Sequence, residues 1–224
     1  MQPAASEWCR VPGPLVVPPI PRVRPIPVAP AELRPQATSI IPRGRVLFWQ
    51  GDRQSEQIEI LQGVLRAVRL LEDGTRQILA FYWAGDVVRP ALATCQHYTA
   101  EAVTPCRVLR SKAFEVCASG KPCGANQVLT DTLSLVMAMS KKNSIARLAW
   151  FLLRIRPHLP SDPSRRHALR VLIPRADIAD YLGTSMETVC RTLADFRSRG
   201  LIDLPNRKTI RFIDLAGLAR VAGE

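Results

Sequence analysis

The chain has 224 residues, 47% of them hydrophobic and 22% charged, and its 31 Lys and Arg outweigh 19 Asp and Glu to leave a formal charge of +12. That is enough chain for two domains with cores of their own, and the excess of cations favours a polyanion, nucleic acid or an anionic membrane, as partner. No apolar run approaches the roughly 20 residues that cross a bilayer, and no charged start with an apolar stretch marks a signal peptide, so no membrane partner and a cytoplasmic location are expected. Cysteines stand at 9, 95, 106, 117, 123 and 190 without framework spacing, which suits a reducing compartment better than a disulfide scaffold.

Residues 1–38 hold Pro3, Pro12, Pro14, Pro18, Pro19, Pro21, Pro25, Pro27, Pro30 and Pro35. Each proline removes a donor and holds its predecessor extended, so neither helix nor central strand persists. The segment is expected to be a mobile, partly polyproline arm, either an idle tail or a recruited binding motif.

Residues 39–122 are expected to be a β-roll. Apolar runs at Val46–Trp49, Ile58–Leu61, Val64–Leu71 and Gln77–Tyr82 alternate with turn signals at Arg43-Gly44, Gln50-Gly51-Asp52, Gln62-Gly63, Glu72-Asp73-Gly74 and Ala84-Gly85-Asp86. Turns about every 10 residues are what a β-roll or barrel needs. Asp73-Gly74 is expected to form a hairpin turn with positive φ at both central positions.

Residues 123–143 change to helical spacing, with Leu129, Leu133, Val136 and Met137 three and four apart, and a hinge is expected near Lys142–Ser144. Asn143 or Ser144 is placed to cap a further helix, Ile145–Ile155, with Leu148, Phe151, Leu152 and Ile155 on one face.

The densest signal lies between Pro174 and Ile202, in residues 144–224. Pro174 suits a first helical turn, Ile178, Ala179 and Leu182 form an inner face, and Gly183 supplies the left-handed turn between two steeply crossed helices. Thr184 or Ser185 is placed to cap the second helix, with Glu187 near its third position, and Val189, Leu193 and Phe196 bury it. That leaves Met186, Glu187, Cys190 and Arg191 on an exposed edge able to read bases, Glu187 accepting from cytosine and Arg191 donating to guanine. An ordinary i,i+4 pair between Glu187 and Arg191 is the alternative. Arg175, Ser185, Thr188, Arg197 and Arg199 are phosphate candidates, joined by Arg207 and Lys208 at the tip of a wing formed by two short strands.

These motifs resemble the Crp–Fnr superfamily. The resemblance runs from Ile40 to Leu218 and rests on I-P-R-G-R-V-L-F-W-Q-G-D (41–52), L-L-E-D-G-T-R-Q-I-L-A-F-Y-W-A-G-D (70–86), H-Y-T-A-E-A-V (97–103), I-A-R-L-A-W-F-L-L (145–153) and D-I-A-D-Y-L-G-T-S-M-E-T-V-C-R (177–191). It implies an α+β chain with an N-terminal cupin-like β-roll, a long dimerisation helix and a C-terminal winged helix-turn-helix. It also implies a homodimer joined through Leu129, Leu133, Val136 and Met137, reading a palindromic duplex and working with RNA polymerase.

Departures narrow the subtype. Cyclic-AMP receptors of the superfamily carry a Glu and an Arg-Ser pair for the ligand, whereas this chain has Gly85-Asp86-Val87-Val88 and His97-Tyr98-Thr99. A cyclic nucleotide would lack its main counter-charge. The E-x-x-C-R pattern resembles the E-x-x-S-R of Fnr- and FixK-type proteins, which implies TTGA-like half-sites, an oxygen- or redox-responsive circuit and activation of transcription. Cys190 replaces the serine and offers a redox switch or a merely tolerated small residue. Cys9 stands alone in the N-terminal region where Fnr proteins gather several cluster ligands, so neither an iron–sulfur cluster nor any other cofactor or metal is expected. An effector- or haem-gated regulator of the same fold is the alternative. A cupin-like metalloenzyme is the remote one, because His97, His158 and His167 lie far apart and no nucleophile–base pattern or catalytic residue is evident.

Overall fold

The computed structural model describes residues 38–53, 55–89, 95–112, 135–136, 139–140, 143–165 and 167–223. The chain divides into Met1–Glu32 and Leu33–Glu224, and every described residue belongs to the second unit. The proline-rich arm, Cys9, Cys117 and Cys123 lie outside the described residues, as do Leu129, Leu133 and Met137. Residues 135, 136, 139 and 140 are helical, and Val136 is 60% exposed.

Eight strands form the first half: β1 Thr38–Ile41, β2 Val46–Phe48, β3 Glu56–Gln62, β4 Leu65–Leu70, β5 Arg76–Tyr82, β6 Val87–Val88, β7 Thr99–Ala102 and β8 Cys106–Lys112. They pair antiparallel into two four-stranded sheets, β1-β8-β3-β6 and β2-β7-β4-β5. Ile58, Ile60, Leu65, Ala100 and Val108 fill the roll with almost no exposure. The expected runs all become strands, but β1, β6, β7 and β8 are too short or too polar to stand out as apolar runs.

The β4–β5 turn departs from the expected two-residue form. Gly74 donates to the Leu71 carbonyl and has φ +79, whereas Asp73 keeps a negative φ and accepts from the Thr75 N–H and hydroxyl. The Asp73 side chain thus holds the turn, and the hydroxyl and N–H of Thr75 keep its carboxyl below the usual carboxylate range. Glycine is needed more strictly at Gly63. Its φ is +97, and a Cβ there would stand 2.5 Å from the Pro105 carbonyl oxygen and 2.7 Å from Cys106 Sγ.

The second half begins with α1, Ser144–Ile155, where the Asn143 side chain accepts from the Ile145 N–H and Leu148, Phe151, Leu152 and Ile155 are buried as the spacing predicts. A 3-10 turn at Arg156–His158 follows. Then come β9 Leu169–Arg170, α2 Arg175–Leu182, α3 Met186–Ser198, β10 Ile202–Asn206, β11 Thr209–Phe212 and α4 Leu215–Ala222. The small sheet runs β10-β11-β9. Neither β9 nor α4 is legible in the sequence: β9 has two residues, and α4 is a short helix capped by Asp214, which accepts from Gly217.

The two halves share one core. Val64, Val68, Ile78, Trp83 and Val103 of the roll pack with Phe151, Ile178, Tyr181 and Leu193. Phe81 lies 5.3 Å from Tyr181 and 6.2 Å from Phe151 between ring centroids, and Trp83 stacks on His158 at 5.1 Å. Beside these rings, Asp177 of α2 has a side chain only 3% exposed and takes Arg66 of β4 at 2.5 Å and Arg76 of β5 at 3.3 Å. Arg66 also grips Glu101 with two nitrogens, Arg76 reaches Asp180 at 2.5 Å, and the Gln77 amide donates to the Asp180 carbonyl. Burial alone would lower the pKa of the Arg66 guanidinium, but its bonds and charges from Glu101 and Asp177 raise it above its ordinary value.

Replacing Asp177 with Ala leaves two arginines short of a partner inside this contact and should cost about 3 kcal/mol. Urea unfolding of the variant checks it, and a double-mutant cycle with Arg66→Met separates the pairing from the carboxylate's benefit to the first turn of α2. An unmoved midpoint would mean that the arginines find water as readily as Asp177.

Candidate nucleic-acid interface

The elbow between α2 and α3 follows from four residues. Pro174, with φ −59 and ψ 145, stands just before α2 rather than inside its first turn as expected, because the extended ψ places it at the cap. Gly183 ends the helix at φ 59 and ψ 48, its N–H returning to the Ala179 carbonyl. Arg147 of α1 donates to the Leu182 carbonyl at 3.1 Å, so the end of α2 is held from outside as well.

Ser185 begins α3: its Oγ accepts from the Thr188 N–H at 3.1 Å and lies 2.9 Å from the Thr188 hydroxyl. This corrects the expected box. Thr188 occupies the third position, and Glu187 sits one earlier with its side chain exposed.

The faces of α3 separate cleanly. Val189, Leu193 and Phe196 are buried, while Glu187 and Arg191 are exposed and Met186 is 55% exposed. No ion pair joins Glu187 to Arg191 among the described residues, so each side chain is available to another partner. Cys190 is half-buried, and Arg175 Nη1 donates to its Sγ at 3.2 Å. The phosphate candidates divide. Arg197 stands 3.7 Å from Asp203, and Arg199 stands 3.3 Å from Asp195; these are exposed pairs worth little energy and open to exchange. Arg207 and Lys208 are exposed at the wing turn, which the Asn206 side chain closes by accepting from the Lys208 N–H.

The fold brings Arg175, Met186, Cys190, Arg207 and Lys208 to the wall of one cavity, whereas Glu187, Thr188, Arg191, Arg197 and Arg199 do not line it. Two cations on the same wall, Arg43 of the β1–β2 turn and Arg170 of β9, were beyond sequence reasoning because nothing local ties them to α3.

Inside the roll, Tyr98 stands within the His97-Tyr98-Thr99 segment. Its ring lies 5.5 Å from Phe48, and its hydroxyl is 3.0 Å from that of Tyr82. Burial pushes the Tyr98 phenol above its usual pKa, against the opposing pull of Tyr82.

Residues 146–221 match the family profile of the Crp-like helix-turn-helix domain, and residues 39–114 match that of the cyclic nucleotide-binding domain. The chain belongs to the Crp–Fnr regulators. Within them it is of the FixK/Fnr type. It is 29% identical over 196 residues to the fumarate nitrate reduction regulatory protein of Klebsiella oxytoca, covering 82% of this chain and 78% of that one. It is 28% identical, with the same coverage, to the nitrogen fixation regulation protein FixK of Azorhizobium caulinodans. The structure of FixK2 from Bradyrhizobium japonicum has the same fold, at TM-score 0.72 and 23% identity over 83% of this chain and 96% of that one. The expected fold class therefore stands: a β-roll followed by a DNA-binding helix-turn-helix. These Crp–Fnr relatives are named as regulatory proteins, not as enzymes. No described helix is long and apolar enough to cross a membrane.

Two of the described thiols, Cys190 of α3 and Cys106 of the roll, should differ in reactivity. Burial raises the Cys106 thiol pKa, outweighing its bonds to Thr104 and Val64. At pH 8, iodoacetamide should label the half-buried Cys190 well before Cys106, as followed by peptide mass mapping; equal rates would show that the roll opens freely.

Proposed function

We propose that this Crp–Fnr regulator is a homodimer that reads a palindromic promoter site with TTGA-like half-sites, α3 entering the major groove. The observation that carries the reading is the exposure of Glu187 and Arg191, one turn apart on a helix whose opposite face is buried with Val189, Leu193 and Phe196. Met186 and Cys190 complete the base-reading edge. Arg175, Ser185, Thr188, Arg197, Arg199, Arg207 and Lys208 supply phosphate contacts that add affinity without sequence information. Leu129, Leu133, Val136 and Met137, of which Val136 is exposed, are assigned to the dimer interface, and the DNA-bound dimer activates transcription by contacting RNA polymerase.

The circuit is oxygen- or redox-responsive and FixK-like, without a cyclic nucleotide. The Phe48, Tyr82 and Tyr98 rings support this, since Tyr98 occupies the segment where the resemblance places an arginine for the phosphate. Oxidation at Cys190 is the modulating step: peroxide removes two electrons from the thiolate, leaving a sulfenic acid and hydroxide. Further oxidation to the sulfinate gives an anion beside Arg175 that withdraws this cation from DNA and repels phosphate.

Selection of bound duplexes from random DNA should return a two-fold symmetric site with half-sites about one helical turn apart. Arg191→Ala should abolish the guanine preference at roughly 1–3 kcal/mol, while Arg207→Ala should weaken all sequences alike and flatten the salt dependence. Recovery of no common sequence would overturn the reading. Peroxide should lower the affinity of the natural protein and leave Cys190→Ser unaffected; equal losses would remove Cys190 from the circuit.

A further inference from the structure

The cavity beside α3 has a volume of about 640 Å³. That lies within the roughly 300–1,000 Å³ of small-molecule sites. Its floor is aliphatic and buried, made by Leu148 and Leu152 of α1, Ile178 of α2, Leu193 of α3 and Ile210 of β11. Its cations are Arg43, Arg170, Arg175, Arg207 and Lys208. No acidic side chain lines it, and none of these five makes an ion pair among the described residues. Five like charges over an apolar floor repel one another, and an anion in their midst relieves that repulsion.

The lining also restricts the body of such an anion. It contains no aromatic ring to stack on a base and no carboxylate or amide side chain to recognise a base edge. Its two threonines are already engaged, Thr104 with the Val64 N–H and Thr209 with Asp162, and the Cys190 sulfur takes Arg175. A ligand's N–H or O–H donors would find no free side-chain acceptor, whereas an anionic acceptor meets the five cations and methylene groups lie against leucine and isoleucine at no such cost. The geometry points to a ligand site for an alkyl carboxylate, its chain on the Leu148–Leu152–Leu193 floor and its head among the arginines.

The walls come from both halves of the molecule. Arg43 and Val103-Thr104-Pro105 belong to turns of the roll, while Met186 and Cys190 belong to α3. The ligand therefore bridges roll and helix-turn-helix, and its head competes with phosphates for Arg175, Arg207 and Lys208. This competition rests on the DNA-reading role proposed above; occupation of the cavity does not.

Decanoate titrated into the full-length protein in a calorimeter should bind saturably at one site per chain, and 1-decanol should bind at least tenfold more weakly. Arg43→Ala, an exposed substitution in the roll outside the residues proposed to touch DNA, should weaken decanoate about tenfold while leaving DNA affinity without decanoate unchanged. Leu204→Trp, shown by circular dichroism to be folded, should fill the cavity and abolish binding. Non-saturating heats, or natural affinity in either variant, overturn the proposal. In a second arm, decanoate should release the natural protein from its selected duplex and release Arg43→Ala only at about tenfold higher concentration. A protein that binds decanoate but no duplex would sink the regulator reading and leave the cavity assignment standing; decanoate bound without displacement of DNA would overturn the competition.

Discussion

Two carboxylates of α2, the buried Asp177 and the more exposed Asp180, tie the reading domain to the roll. Asp177 lies in the first turn of α2, where an acid suits the helix dipole, yet its two oxygens are spent on Arg66 and Arg76 of the β4–β5 hairpin. A guanidinium that leaves water loses hydration, and only directed bonds from Glu101 and Asp177 compensate Arg66 for that loss. The aromatic contacts of Phe81, Phe151 and Tyr181 join the same hairpin to α2 and α1 by apolar packing. Ionic geometry fixes the angle of α2, and apolar area supplies the adhesion.

From that anchored helix the rest of the reading head follows by short links. Gly183 turns the chain, Ser185 starts α3, and Val189, Leu193 and Phe196 press it down, so only one strip of α3 faces outward. Arg147 reaches from α1 to the Leu182 carbonyl and ties the elbow to the helix just beyond residues 135–140.

Legibility in the sequence followed the range of the interaction. Strands bounded by glycine turns, the faces of α1 and α3 and the Gly183 elbow depend on neighbours within a turn or a hairpin, and their residues announce them. The shared core was invisible, because nothing local distinguishes Arg66 from the exposed Arg69 three residues later. Asp177 looked like an ordinary first-turn acid for the same reason. Glu187 sits one position before the expected one because Thr184 and Ser185 are equally good caps on paper, and the Thr188 N–H, which donates to Ser185 Oγ, decides between them. Arg43 and Arg170 join the α3 side of the molecule through tertiary folding alone.

The tight fit at Gly63 has a mechanical consequence. The β3–β4 and β7–β8 turns meet there with no room for a Cβ between Gly63 and Pro105 or Cys106, and Pro105 also lines the space under α3. Any side chain installed there would have to displace Pro105 or Cys106, so a lesion in the roll would disturb the wall of a cavity that Arg175, Arg207 and Lys208 share.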